Sequence, residues 1–81
     1  MEITIDKVGS VLAVVHRRRG AFKGRLLSTE SQQGIYGPHH WLHLEILDGA
    51  PKSLAYPGTR LQPGDQVSVL WAECASVRIE G

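Results

Sequence analysis

Hydrophobic and polar residues alternate along most of the chain, and no stretch keeps a helical period over a useful length. The clearest alternation covers residues 41–47, where Leu42, Leu44 and Ile46 take one face and the residues between them take the other. Successive side chains of a strand point to opposite faces of the sheet. The pattern therefore predicts a strand whose leucine face lies in the core.

The same reading predicts further short strands separated by turn residues. They cover residues 3–5, 10–16, 22–29, 52–56, 66–71 and 76–80, giving five to seven strands in all. Gly20, Asp48-Gly49 and Pro63-Gly64-Asp65 carry turn chemistry, and Gly24 is a candidate bulge that bends its strand. Residues 31–38 are predicted to be a loop, and a kink is expected at residues 72–75.

The alternation also predicts which side chains are buried. The expected core consists of Val11, Ala13, Val15, Leu42, Leu44, Ile46, Val67, Val69, Val77 and Ile79, with Phe22 and Trp71 beside them. Strands this short, in a chain of 81 residues, usually close into a small barrel because closure removes exposed edges. The sequence therefore predicts one all-β domain, a small OB-like barrel, with an SH3-like barrel as the alternative.

The composition limits the setting in which this domain works. The chain is 42% hydrophobic and 21% charged, which is too apolar for a disordered protein. No apolar run approaches the roughly 18–20 residues needed to cross a bilayer, and the acidic start is unlike a signal peptide. The single cysteine, Cys74, excludes a disulfide within the chain. We expect a cytoplasmic protein with no membrane partner.

Charge is unevenly distributed, although the net charge is only +1. Five bases and no acid fall between residues 16 and 25, and these bases are Arg17, Arg18, Arg19, Lys23 and Arg25. A hairpin would bring them near one another, and local positive potential attracts phosphates and other oxyanions. The alternative is a solvated hairpin end that keeps the protein soluble.

Two stretches resemble a known family. Leu61-Gln62-Pro63-Gly64-Asp65-Gln66-Val67-Ser68-Val69-Leu70-Trp71, ending in Ser76-Val77-Arg78-Ile79, is similar to the last hairpin of TOBE and Mop domains. Val8-Gly9-Ser10-Val11-Leu12-Ala13-Val14-Val15 is similar to their first strand, while Ile3-Thr4-Ile5-Asp6 stands where the Mop signature would be. The resemblance implies an OB-type barrel that binds a small oxyanion at a subunit interface or serves as an interaction module.

Aromatic and histidine side chains supply the remaining candidate chemistry. Trp41 falls on the face opposite the leucines and Tyr36 lies near the basic hairpin, so both are candidates to stack on bases. His43 shares the face of Trp41 and is a candidate to contact the nucleic acid or anion. On a strand, His39 and His43 stand about 13 Å apart, which is too far to share one metal ion. No metal site and no cofactor are predicted.

No acid–base pair, phosphate loop or activated nucleophile is visible, and Cys74 is expected to be a small buried thiol. The sequence therefore favours a non-enzymatic binding module for single-stranded nucleic acid. The basic hairpin would hold phosphates, and Trp41 or Tyr36 would stack on bases. The alternatives are a TOBE-like oxyanion-binding or interaction module, and a structural homo-oligomer with Trp41 between subunits.

Overall fold

The computed structural model describes residues 8–35, 37–56 and 58–80, and it contains five strands. The strands are β1 (Val11–His16), β2 (Gly20–Gly34), β3 (Gly37–Asp48), β4 (Gln66–Leu70) and β5 (Cys74–Ile79). A short 3-10 turn, Trp71–Glu73, joins β4 to β5 at the predicted kink. No helix in the described ranges is long and apolar enough to cross a membrane.

All five strands belong to one antiparallel sheet with the order β4-β3-β2-β1-β5. Each of the first four strands pairs with its neighbour in sequence, and β5 returns to pair with β1. The all-β prediction is confirmed, and the chain forms a compact, barrel-like globule.

The core fills the concave face of the sheet. Its members are Leu12, Val14, Phe22, Leu26, Leu42, Leu44, Ile46, Val67 and Val69. The predicted bulge at Gly24 is displaced: beside Gly24 the extra residue is Leu47 on the facing strand β3, and the extra residue of β2 itself is Leu27. A Cβ on Gly24 would lie 3.2 Å from the Leu44 Cβ atom, so glycine lets β2 bend closely over β3.

The predicted faces of β1 are reversed in the structure. Leu12 and Val14 are buried together with His16, whereas Val11 and Ala13 are half-buried and Val15 is exposed. Because every residue from 11 to 15 is apolar, the hydrophobic pattern of this strand does not determine which face points inward.

The predicted loop at residues 31–38 is also wrong. β2 continues to Gly34 and β3 begins at Gly37, so these residues form the end of a long β2–β3 hairpin, which we call the arm. Ser31 pairs with His40 and Gln32 pairs with His39. Main-chain hydrogen bonds hold the two strands of the arm together, while most of its side chains are exposed to water. The arm therefore lacks the alternation of apolar and polar residues by which a half-buried strand is recognised in a sequence.

Two further sequence predictions differ from the structure, and a third falls on residues that it does not describe. Residues 52–56 form no strand, because only the isolated bridge between Lys52 and Arg60 is present and the rest is turn. Val77 is half-buried and Ile79 is 54% exposed, since β5 is an edge strand and Ile79 lies at its end. The predicted strand at residues 3–5 lies outside the described residues.

Candidate functional site

A groove opens at one end of the barrel, between the arm, the 3-10 turn and β5. Its cavity volume is about 560 Å³, which falls in the usual range of small-ligand sites. The floor is mainly apolar and includes Leu70, Trp71, Cys74 and Val77. Such a floor suits a flat or apolar group of a ligand.

Trp71 reaches this floor because the chain turns directly after β4. The strand ends at Leu70, and the 3-10 turn begins at Trp71 and closes with a hydrogen bond from the Cys74 amide to the Trp71 carbonyl. The Trp71 side chain packs against the core and remains partly exposed toward the groove. Trp71 therefore packs against the core, as predicted, and also lines the groove.

Arg17 stands at the rim of the groove. Its amide donates a hydrogen bond to the Glu73 carbonyl over 3.0 Å, which fixes the backbone beside the 3-10 turn. Its side chain is exposed and makes no hydrogen bond or ion pair with any residue in the described part of the chain. The guanidinium is therefore available to an anionic ligand.

Two histidines of the arm form another part of the rim. The Nδ1 atom of His40 lies 2.9 Å from the Ser31 hydroxyl on the facing strand. The ring of His39 lies over Gly34, where a Cβ atom has no room. Glycine at this position thus lets the His39 ring lie close to the backbone at the end of the hairpin.

The other two arginines of the run are held by protein groups. The Nε atom of Arg18 forms an ion pair with Glu73 over 3.1 Å. Arg19 donates from Nη1 to the Lys52 carbonyl over 2.7 Å, and the Lys52 amide donates to the Arg19 carbonyl. Arg19 therefore ties the β1–β2 turn to the segment after β3, which is a structural role.

The remaining two bases of the predicted cluster lie elsewhere. Lys23 and Arg25 are exposed on the outer face of β2, and Arg25 lies 3.8 Å from the Glu45 carboxylate. The five bases of residues 16–25 are consequently divided among the groove rim, the β1–β2 turn and the outer sheet face. They do not form the single phosphate path that a simple hairpin suggests.

Trp41 and His43, which were candidates to contact a ligand, do not line the groove. Trp41 is half-buried on the outer face of β3, where it stands across from Glu30 and Leu70. On the same face, His43 lies 2.6 Å from the Ser68 hydroxyl and 3.3 Å from the Glu30 carboxylate. Tyr36 lies outside the described residues.

His16 organises the turn that carries the three arginines. It is only 3% exposed, and its Nδ1 atom accepts hydrogen bonds from the Arg18 and Arg19 amides over 3.2 and 3.1 Å. Burial lowers the pKa of His16 below 6.5, with smaller lowering effects from Arg19 and Arg18 and an opposing one from Glu73. The neutral imidazole is the form that holds this turn.

We expect the stability of the protein to fall on acidification because of His16. Since the folded-state pKa lies below 6.5, the His16 contribution is fully present above that pH and is lost as pH falls through the folded-state value. Denaturation midpoints measured from about pH 8 to about pH 5 should show the loss. His16→Asn keeps an acceptor near Nδ1 and should flatten this dependence, whereas His40→Asn should leave it unchanged.

Cys74 contributes no nucleophile to the groove. Its Sγ atom lies 3.6 Å from the Leu70 carbonyl, and burial, reinforced by Glu73, raises the pKa of the thiol to about 11. The thiolate is the reactive form, so this cysteine is inert near neutral pH. Within the described ranges, no group of three or more histidine, cysteine, aspartate or glutamate side chains is placed to hold a metal ion.

Sequence reasoning missed Trp71, His39 and His40 as site residues. The available signal was the predicted kink after Trp71, since a break in the strand pattern releases a side chain from the regular alternation. The two histidines directly follow the predicted loop, and the sequence does not show that the β2–β3 hairpin places them at the groove rim. Comparison with known proteins adds no guidance, because no protein family, curated protein or solved structure matches this chain.

Proposed function

We propose that this chain is a non-enzymatic binding module that takes a short single strand of nucleic acid into the groove. In this arrangement a base stacks on Trp71 and the neighbouring phosphate pairs with Arg17. The observation that carries the proposal is an arginine whose side chain has no partner among the described residues, beside an apolar floor that contains a tryptophan. Base stacking combined with phosphate pairing is how such modules hold single strands without reading sequence.

The energies support a modest affinity. Stacking contributes about 1–3 kcal/mol per base, and a hydrogen bond to a charged group about 1.5–3 kcal/mol. Arg18, Arg19 and Arg25 already have protein partners, so one strong phosphate contact is expected at the groove. The salt dependence should therefore have a log–log slope of roughly −0.7, the value for one single-strand phosphate contact.

A small free oxyanion is the second candidate ligand. It is the ligand that the resemblance to TOBE and Mop domains implies. Only one cation without a protein partner lines the groove among the described residues, together with His39 and His40. A small anion that carries no nucleobase would leave the apolar floor uncovered and would gain no stacking energy from Trp71. We therefore expect molybdate or phosphate to bind more weakly than an oligonucleotide.

The test is fluorescence anisotropy with short labelled oligothymidine and oligouridine, with molybdate and phosphate as competitors. Arg17→Ala should weaken binding about tenfold or more and flatten the salt slope, because it removes the charge-assisted contact. Arg25→Ala is the matched control, since it removes the same charge from the outer face and should change affinity little. Equal losses in both variants, or none in Arg17→Ala, would contradict the groove as the binding site.

A further inference from the structure

The outer face of β1 is apolar and only partly covered, since Val11 and Ala13 are half-buried and Val15 is exposed. Val11, Ala13 and Val15 point away from the core formed by the residues between them, and Val15 is 42% exposed. A continuous apolar run is typical of a strand that is covered on both faces. In the described part of the chain the core residues of β2, β3 and β4 cover the inner face fully, whereas the outer face stays half-buried at Val11 and Ala13 and exposed at Val15. The sequence of β1 thus points to a second covering surface.

The register of the three neighbouring strands defines this surface, which we call the outer face. Its cross-strand rows are Ala21–Val15–Ser76, Lys23–Ala13–Arg78 and Arg25–Val11–Glu80. The first row, together with Ala13 and Val11, forms a centre of small or apolar side chains. A shallow depression of about 310 Å³ lies over this centre, and long charged side chains surround it.

The charges around the outer face are balanced. Lys23, Arg25 and Arg78 are matched by Asp48, Glu45 and Glu80, and Asp48 stands directly across from Lys23. A polyanion needs a clear excess of positive charge, which this face lacks. An identical face carries the same balance and is not repelled, so it can place acids opposite bases around an apolar centre.

We propose that a second copy of this chain covers the outer face, so that two sheets pack face to face around Val15. Sheets that pack face to face at about 10 Å bury the side chains on their facing surfaces, and small apolar side chains fit such a layer. Three strands spaced about 4.8 Å apart and six residues long give roughly 300 Å² per copy. A standard stable interface buries about 800 Å² per partner. The dimer is therefore weak and forms only at high protein concentration.

Sedimentation equilibrium from about 10 µM to about 1 mM tests the proposal, since weak interfaces dissociate in this range. We expect a concentration-dependent dimer, and amide shifts on dilution that centre on Val11, Ala13 and Val15. Val15→Lys should abolish association, and the milder Val15→Thr should weaken it while keeping a β-branched strand residue. Ile35→Lys is the control, because it places the same charge on an exposed aliphatic position at the arm tip.

The result that overturns the proposal is a monomer at every concentration, or a dimer that Val15→Lys and Val15→Thr leave intact. A dimer that is disrupted by Trp41→Ala but not by the Val15 variants would place the interface around β3 and β4, away from Val15, and would also overturn it. Nucleic-acid binding by the Val15 variants is expected to be unchanged, because Arg17 and Trp71 lie in the groove. Failure of the dimer is thus distinguishable from failure of the proposed function.

Discussion

Replacing Leu44 by alanine is expected to lower the free energy of unfolding by about 2–5 kcal/mol. Leu44 has no exposed surface, and it lies at the centre of the sheet between Leu26 and Val67. A domain of this size is stabilised by only about 4–12 kcal/mol, so the loss is a large part of the total. Thermal unfolding followed by circular dichroism should show a fall in Tm of at least about 10 °C.

Leu47→Ala is the matched control for this substitution. Leu47 belongs to the same strand but points to the opposite face and is half-buried. Its truncation removes the same atoms from a partly solvated position and should cost about 1 kcal/mol. Equal costs at the two positions would mean that the faces of β3 are assigned wrongly.

Replacing Gly49 by alanine is expected to have an effect of similar size for a different reason. Gly49 follows β3 with a φ of +103°, a conformation that residues with a side chain rarely adopt. An added Cβ atom would also lie 2.6 Å from the Phe22 Cα atom and 2.9 Å from the Ala21 carbonyl oxygen. Both neighbours are backbone atoms and cannot rotate away. We expect a loss of more than about 3 kcal/mol, measured by chemical denaturation.

Gly64→Ala separates the two causes. Gly64 has a similar φ of +95°, but nothing lies within 4 Å of its added Cβ atom. This variant should show only the conformational cost of about 1–3 kcal/mol. If Gly49→Ala is no more destabilising than Gly64→Ala, then the close approach of β3 to the start of β2 is not as tight as the structure indicates.

The core-facing sides of the central strands were predictable, because their hydrophobic and polar residues alternate and only one face is apolar enough to be buried. In β3 and β4 every buried position is aliphatic, and the residues between them are polar or only partly buried. β1 lacks this contrast, since Val11 to Val15 are all apolar, and its faces follow from its neighbours instead. The arm also lacks this contrast, but because both of its faces are polar. Ser31 and Gln32 are exposed, and main-chain hydrogen bonds hold the strands together.

The candidate site was less predictable than the fold. The arginine run is obvious in the sequence, but the sequence does not show which arginines have protein partners. Arg18 and Arg19 pair with Glu73 and Lys52, which are distant in the chain and lie beside the run only after folding. Trp71 changes from a core residue to a groove residue because a three-residue turn follows β4. Local patterns identify the residue types needed for binding, whereas the contacts of each side chain decide which of them are available.

The most direct test of the proposed function is the position of the binding site, measured by NMR chemical-shift mapping. The isotope-labelled protein is titrated with an unlabelled oligothymidine or oligouridine of about four nucleotides, the lower end of reported site sizes. We expect the largest shifts at the Trp71 indole, the Arg17 amide and side chain, and the His40 ring, with little change at Trp41 and Lys23. Shifts centred on Trp41, His43 or Lys23, or no shifts at low salt, would contradict the proposed function.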